Sequence, residues 1–237
     1  MWYAKSSGSY DISSAQAKAN ATEIARLLDA QGWSRKSICA LLGNVVGESG
    51  LNPWRWQSDF VPQYDIFLQW DTTEANNHGY GLFQFTPANK YINDTNKSKY
   101  ASYGYKPNFF DTAGKARDGE AQIRYFLSTA ESSWLRTNYN YYSGYFSNIG
   151  VDISKWYYTT FANFVVGRDN SGSPLDIASL TGCFELCYER PSAEYAASSY
   201  QTRVDNANYW DKTLPASFGT KKSKWIYYMK GKRRNGY

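Results

Sequence analysis

Apolar side chains recur at a helical period through most of this chain, and the period lapses in one long stretch. Over residues 13–31, Ala21, Ile24, Ala25, Leu27 and Leu28 share a face, which predicts an amphipathic helix broken by Gln31-Gly32-Trp33. Ser34 is placed to cap a second helix with the stripe Ile38, Leu41, Leu42, Val45 and Val46, and Gly50 and Pro53 are its stop signals. Residues 54–86 lose the period. Aromatics from Trp54 to Phe85 are scattered among Gly, Asn and Asp, which predicts irregular structure with short strands, and Thr86-Pro87 reads as an N-cap and first-turn proline.

A loop rich in Asn, Lys and Tyr is expected over 93–108. A long amphipathic helix follows Asp111-Thr112, with Ala116, Ile123, Phe126, Leu127, Ala130 and Trp134 inward. After a Tyr/Asn-rich loop at 138–150, three more helices are expected. They cover about 153–166, a segment from Ser173-Pro174 to the stop at Pro191, and about 193–211. The fold class is therefore mainly α with a small β part (α+β): a helical bundle with a short irregular β region. No internal repeat is evident.

Length and composition narrow the picture. At 237 residues the chain is long enough for one substantial core and short for two, so one domain over 1–218 with a tail at 219–237 is expected. Aromatics make up 18% of residues, with 22 Tyr and 9 Trp, more than a core of this size needs. Tyr and Trp combine an apolar face with a polar handle, which suits sugar rings. The net charge of +5 is concentrated at the end of the chain, where Lys221, Lys222, Lys224, Lys230, Lys232, Arg233 and Arg234 meet no acid. Such a tail suits an anionic wall polymer, a membrane surface or nucleic acid.

Cys39, Cys183 and Cys187 imply no disulfide framework, and Cys183 and Cys187, four apart on a predicted helix, read as buried thiols. The first residues lack the apolar run of a signal peptide, and no membrane span is expected.

Two segments carry the candidate chemistry. The first, Gly43-Asn44-Val45-Val46-Gly47-Glu48-Ser49-Gly50-Leu51-Asn52-Pro53, puts Glu48 in the last turn of an apolar helix. There the negative end of the helix dipole and the water-excluding Val45 and Val46 both act against a charged carboxylate, as a general acid requires. Gly47 and Gly50 leave room for a polymer. The second segment, Gly79-Tyr80-Gly81-Leu82-Phe83-Gln84-Phe85, has glycines that let backbone approach a ligand closely, and Gln84 offers both a donor and an acceptor. Together they suggest a glycan-cleaving site.

Here the sequence resembles a known family. Glu-Ser followed by Gly-Leu-x-Gln is shared by goose-type lysozymes and soluble lytic transglycosylases. The fuller pattern resembles the phage tail lysozyme domain: Trp33-Ser34, Gly43-Asn44, Glu48 to Pro53 and Gly79 to Thr86, then Phe184-Glu185, Tyr188-Glu189-Arg190-Pro191, Arg203, Ala207 and Tyr209. The resemblance covers roughly residues 15–211. It implies a lysozyme-like fold in which the short irregular β region forms one wall of a substrate cleft, with Glu48 as the catalytic acid and Tyr80, Phe83 and Gln84 lining the subsites. Glu185, Glu189, Arg190 and Arg203 also match, but they sit on helical stripes and read as structural ion pairs.

A second carboxylate would act as a base about 6.5–9.5 Å from the acid in an inverting enzyme, or as a nucleophile at about 5–5.5 Å in a retaining one. Asp59, Asp65, Asp71 and Glu74 are available, and Asp71 and Glu74 lie nearest the glycine segment. The Ala-Tyr-Asn-Ala-Gly segment of lytic transglycosylases has no convincing match, which favours hydrolysis over an anhydro product. His78 is the only histidine, so a zinc peptidase with two His ligands is excluded.

The expectation is thus a phage-encoded muramidase cutting peptidoglycan glycan strands without metal or organic cofactor. It would act from the virion tail at the bacterial wall, with the basic tail meeting wall polymer or other tail proteins and no nucleic-acid partner. The rival is a non-catalytic glycan-binding or tail-structural module.

Overall fold

The computed structural model describes residues 1–5, 7–59, 77–107, 118–136 and 138–220, and within them the fold is mainly helical, as expected. Helix α1 (Ala15–Ala30) starts where the Ser14 hydroxyl accepts the Ala17 N–H at 3.1 Å. It ends at Gly32, which takes φ +80 while the N–H groups of Gly32 and Trp33 close back onto the carbonyls of Asp29 and Leu28. Ser34 caps α2 (Arg35–Ser49) by accepting the Ser37 N–H at 3.2 Å. The α2 stripe is buried from Ile38 to Val45, and Val46 is half-buried.

Two stretches that read as loops are helical. Helix α3 (Asp94–Tyr100) lies within 93–108, with the Asn93 side chain accepting the Asn96 N–H at 2.8 Å. Helix α4 (Asp118–Ser133) is the described part of the long helix expected after Asp111-Thr112. Helix α5 (Tyr139–Asn148) occupies the expected 138–150 loop. Composition hides α3 and α5. Each buries two residues four apart, Asn96 with Tyr100 and Tyr142 with Phe146, a face too narrow to stand out among Asn, Lys and Tyr.

Other boundaries shift. The helix expected over 153–166 contracts to α6 (Phe161–Val165), capped by Thr160. The one expected from Ser173-Pro174 begins after Asp176, whose carboxylate accepts the Ser179 N–H at 2.7 Å. This is α7 (Ile177–Phe184), and it runs into a π turn at Glu185–Glu189. Helix α8 (Ala193–Thr213) follows its Ser192 cap. Thr86 is no N-cap. Pro87 itself precedes a single 3-10 turn, Ala88–Lys90, and the Thr86 hydroxyl donates to the Gln84 carbonyl at 2.9 Å. The strands expected over 54–86 reduce, among the described residues, to isolated bridges Trp56–Tyr80 and Tyr80–Phe85.

The chain forms two compact units that alternate in sequence: Met1–Ile24 with Val45–Thr129, and Ala25–Asn44 with the chain from Ala130 onward. The first is built on rings, with Phe83 stacked on Phe126 at 4.5 Å and Phe85 and Tyr80 both stacked on Tyr91. Its N-terminal segment is held by two buried amides. Asn20 exchanges hydrogen bonds with the Tyr3 backbone, and Asn52 does so with Lys5 while also donating to the Gly8 carbonyl. In the second unit, Trp33 and Trp134 pack against Phe161 and Phe164. Cys39, Cys183 and Cys187 are buried free thiols, the last two as expected.

Candidate active site

Glu48 lies in the last turn of α2, half-buried beside the exposed Gly47. The turn around it is fixed from several sides. The Ser49 hydroxyl donates to the Val45 carbonyl at 3.0 Å, and Gly50 leaves the helix at φ +55, donating to the Val46 carbonyl. Gly50 has two reasons to be glycine: the left-handed conformation, and the Ser9 side chain lying where a Cβ would stand. Asn52 serves both the N-terminal segment and the chain that leaves the helix, since its Oδ1 also accepts the Trp54 N–H at 3.1 Å. The stretch from Glu48 to Pro53 is therefore a braced exit from the helix.

The glycine segment closes on itself. Tyr80 and Phe85 exchange backbone hydrogen bonds at 3.2 and 2.9 Å, and the Arg55 carbonyl accepts both the Gly81 N–H and the Gln84 side-chain amide. Gly81 takes φ +84, and a Cβ there would strike the Gln122 side chain. Gln84 takes φ 46, a conformation non-glycine residues adopt rarely and at a cost in backbone strain.

Two buried residues of α4, neither predicted, join these segments. The Gln122 side chain accepts the Leu82 N–H at 2.7 Å and donates to the Pro53 carbonyl at 2.6 Å, so one amide ties the glycine segment to the end of the Glu48 segment. It also donates to Asp118 at 2.7 Å. Asp118 is fully buried and accepts three further hydrogen bonds, from the Tyr91 hydroxyl at 2.7 Å, the Lys106 N–H at 2.8 Å and the Tyr80 hydroxyl at 3.3 Å. Burial pushes its carboxyl up to about 6, and the four hydrogen bonds only partly offset that. One turn apart on a helix, these two polar residues break an apolar pattern, and that break is their signal in the sequence.

The other predicted site residues fall in different places. Tyr80 and Phe83 are buried at 0% and 2% exposure, so their rings form the floor under the segment and offer almost no surface for a sugar to stack on. Gln84 is half-buried, with its amide N–H groups turned to the Arg55 and Gly81 carbonyls. Asp71, Glu74 and Asp65 lie outside the described residues, as does the tail from 221 on. Asp118 is no substitute for the second carboxylate, because four protein donors and full burial close it off. Among the described residues no group of His, Cys, Asp and Glu could hold a metal ion.

The remaining motif residues meet in the second unit. Glu185 and Arg203 form a buried ion pair at 3.0 Å, with side chains 0% and 1% exposed, as their helical placement predicts. The Ser199 hydroxyl donates to Glu185, and Arg203 also donates to the Asn44 side chain and carbonyl. Asn44 in turn donates to the carbonyls of Ala40 and Thr181. Gly43 leaves room for the Arg203 carbonyl and Ala207 to approach. These scattered matches are one joint between α2, α7, the π turn and α8. Arg190 contributes differently, ending the π turn at φ 55 with its N–H on the Glu185 carbonyl.

Comparison with known proteins gives a matching family and a relative of substantial identity. The family whose sequence model fits is described as phage tail lysozyme, and the fit covers residues 19–214. Morphogenesis protein 1 of Bacillus phage B103 is 35% identical over 224 residues, which is 93% of this chain and 45% of that protein. The chain thus spans a little under half the length of this relative.

Proposed function

The chain belongs to the phage tail lysozyme family, and from that premise we propose that it hydrolyses the β-1,4 bond between N-acetylmuramic acid and N-acetylglucosamine in peptidoglycan, with Glu48 as proton donor. The observation that carries this reading is the braced helix exit. It holds one half-buried carboxyl at a glycine-flanked edge, tied through Gln122 to a segment with a strained glutamine. A proton donor that must meet a glycosidic oxygen benefits from such a fixed position, because misplacement by about 1 Å can cost a hundredfold in rate.

Glu48 protonates the leaving oxygen as the bond breaks, and the new charge on the sugar is met by water activated at a second carboxylate. Asp71 and Glu74 are the proposed partners for that step. Tyr80 and Phe83 support the cleft from beneath, and Gln84 presents its remaining acceptor, Oε1, to substrate. The family description and the relative's name favour a virion role, with the enzyme carried in the tail to open the wall locally. The basic segment 219–237 would then hold it on anionic wall polymer or on other tail proteins. No helix among the described residues is long and apolar enough to cross a membrane.

The test is turbidity loss of purified Gram-positive walls. The unaltered chain should clear them. Glu48→Gln should bind without clearing, and Asp71→Asn or Glu74→Gln should identify the partner by a loss of turnover with binding retained. Clearance by Glu48→Gln at the unaltered rate would remove Glu48 from the mechanism.

A further inference from the structure

We propose that the second unit carries a saccharide-binding groove along α5, built from residues other than those of the Glu48 site, which grips wall glycan. The groove has a volume of about 530 Å³, within the range of small-ligand sites, and is lined by Tyr139, Ser143, Gly144, Ser147, Gly150 and Asp152 among others. Three features point to a sugar as its ligand.

First, the ring of Tyr139 is preset. It stacks on Tyr158 at 5.5 Å and 22° and meets Tyr157 edge-on at 5.5 Å, so a ligand would order little on binding it. Second, the lining is neutral apart from one acid and holds no Lys or Arg, which fits a polyol and not a phosphate. The Ser147 hydroxyl can donate and accept, the Ser143 hydroxyl donates to the Asn140 carbonyl at 3.4 Å and can still accept, and Asp152 accepts. Hydrogen bonds from the Ser154 hydroxyl and N–H hold the Asp152 carboxyl below the usual carboxylate range, so it stays an acceptor at neutral pH. Third, Gly144 and Gly150 have no atom within 4 Å of where a Cβ would stand, so the space above them is open.

The surroundings agree. Tyr158, packed against Tyr139, is itself exposed. This surface absorbs part of the tyrosine surplus that the core does not use. The ligand is an N-acetylated glycan segment. That identity rests on the proposed peptidoglycan substrate, whereas the groove itself does not.

The experiment measures binding of the full chain to purified peptidoglycan by co-sedimentation in a Glu48→Gln background. Gly144→Phe fills the groove from an open position on a helix, and Tyr139→Ala removes the ring. Each should weaken wall binding by about three- to tenfold. With Glu48 intact, Gly144→Phe should lose rate on insoluble walls and keep it on short soluble glycan fragments. Wall affinity within twofold of the parent for both variants would overturn the proposal and leave the face to a protein partner. If the unaltered chain clears no wall yet the variants still lose binding, the cleavage reading fails and the groove stands.

Discussion

Asp118 and Gln122 carry the most consequence per atom. Replacing Gln122 with Leu keeps volume but leaves the Pro53 carbonyl and Leu82 N–H without their partner. Buried groups left unsatisfied cost about 1–3 kcal/mol each. Chemical denaturation of Gln122→Leu should therefore show a loss of a few kcal/mol, and wall clearance should fall with it because Glu48's segment loses its tie to the glycine segment. Unchanged stability would mean the bridge contributes nothing. Asp118 makes a pH prediction. Its folded-state value near 6 lies above the 3.8 of the unfolded chain, so folding takes up a proton between the two. The contribution is full below about pH 3.8 and lost as pH rises through about 6. On the order of 2–3 kcal/mol should separate those limits. The difference in unfolding free energy between the unaltered chain and Asp118→Asn, followed from pH 7 to pH 4, should grow in favour of the unaltered chain as pH falls. A flat difference would contradict the assignment.

Among the elements, the joint of α2, α7, the π turn and α8 contains a buried ion pair, Glu185 with Arg203. Arg203→Met removes the cation facing the buried Glu185 and should cost about 3–5 kcal/mol in a denaturation series, since a buried charge losing its countercharge is penalised more than the pair is worth. Replacing both, Glu185→Leu with Arg203→Met, should recover much of that loss. A double variant as unstable as the single would show that the pair itself stabilises the joint. This joint was legible in outline, because Glu185 and Arg203 sit on helical stripes and stripes bury. Helices α1, α2 and α8 were equally legible, with broad apolar faces and Ser caps at Ser14, Ser34 and Ser192. Helices α3 and α5 were not, because two buried residues per helix make no period against a polar or tyrosine-rich background. The same limit applies to Tyr80 and Phe83. Sequence places aromatics near a site but does not say whether a ring faces a ligand or the Phe126 and Tyr91 rings packed against it.

For the whole molecule, the proposed activity would draw on both units: the first holds the carboxyl and its glycine segment, and the second holds the ion-pair joint and the groove along α5. An enzyme whose substrate is an insoluble polymer gains from a second grip, because linked binding raises the effective concentration of the bond at the cutting site. The proposal on which the rest depends is that Glu48 donates the proton for glycan hydrolysis. Its most direct test is mass analysis of the muropeptides released from purified Gram-positive walls by the unaltered chain and by Glu48→Gln. Fragments ending in reducing N-acetylmuramic acid are expected from the first and none from the second. Anhydro ends, or equal release by both proteins, would contradict the proposal.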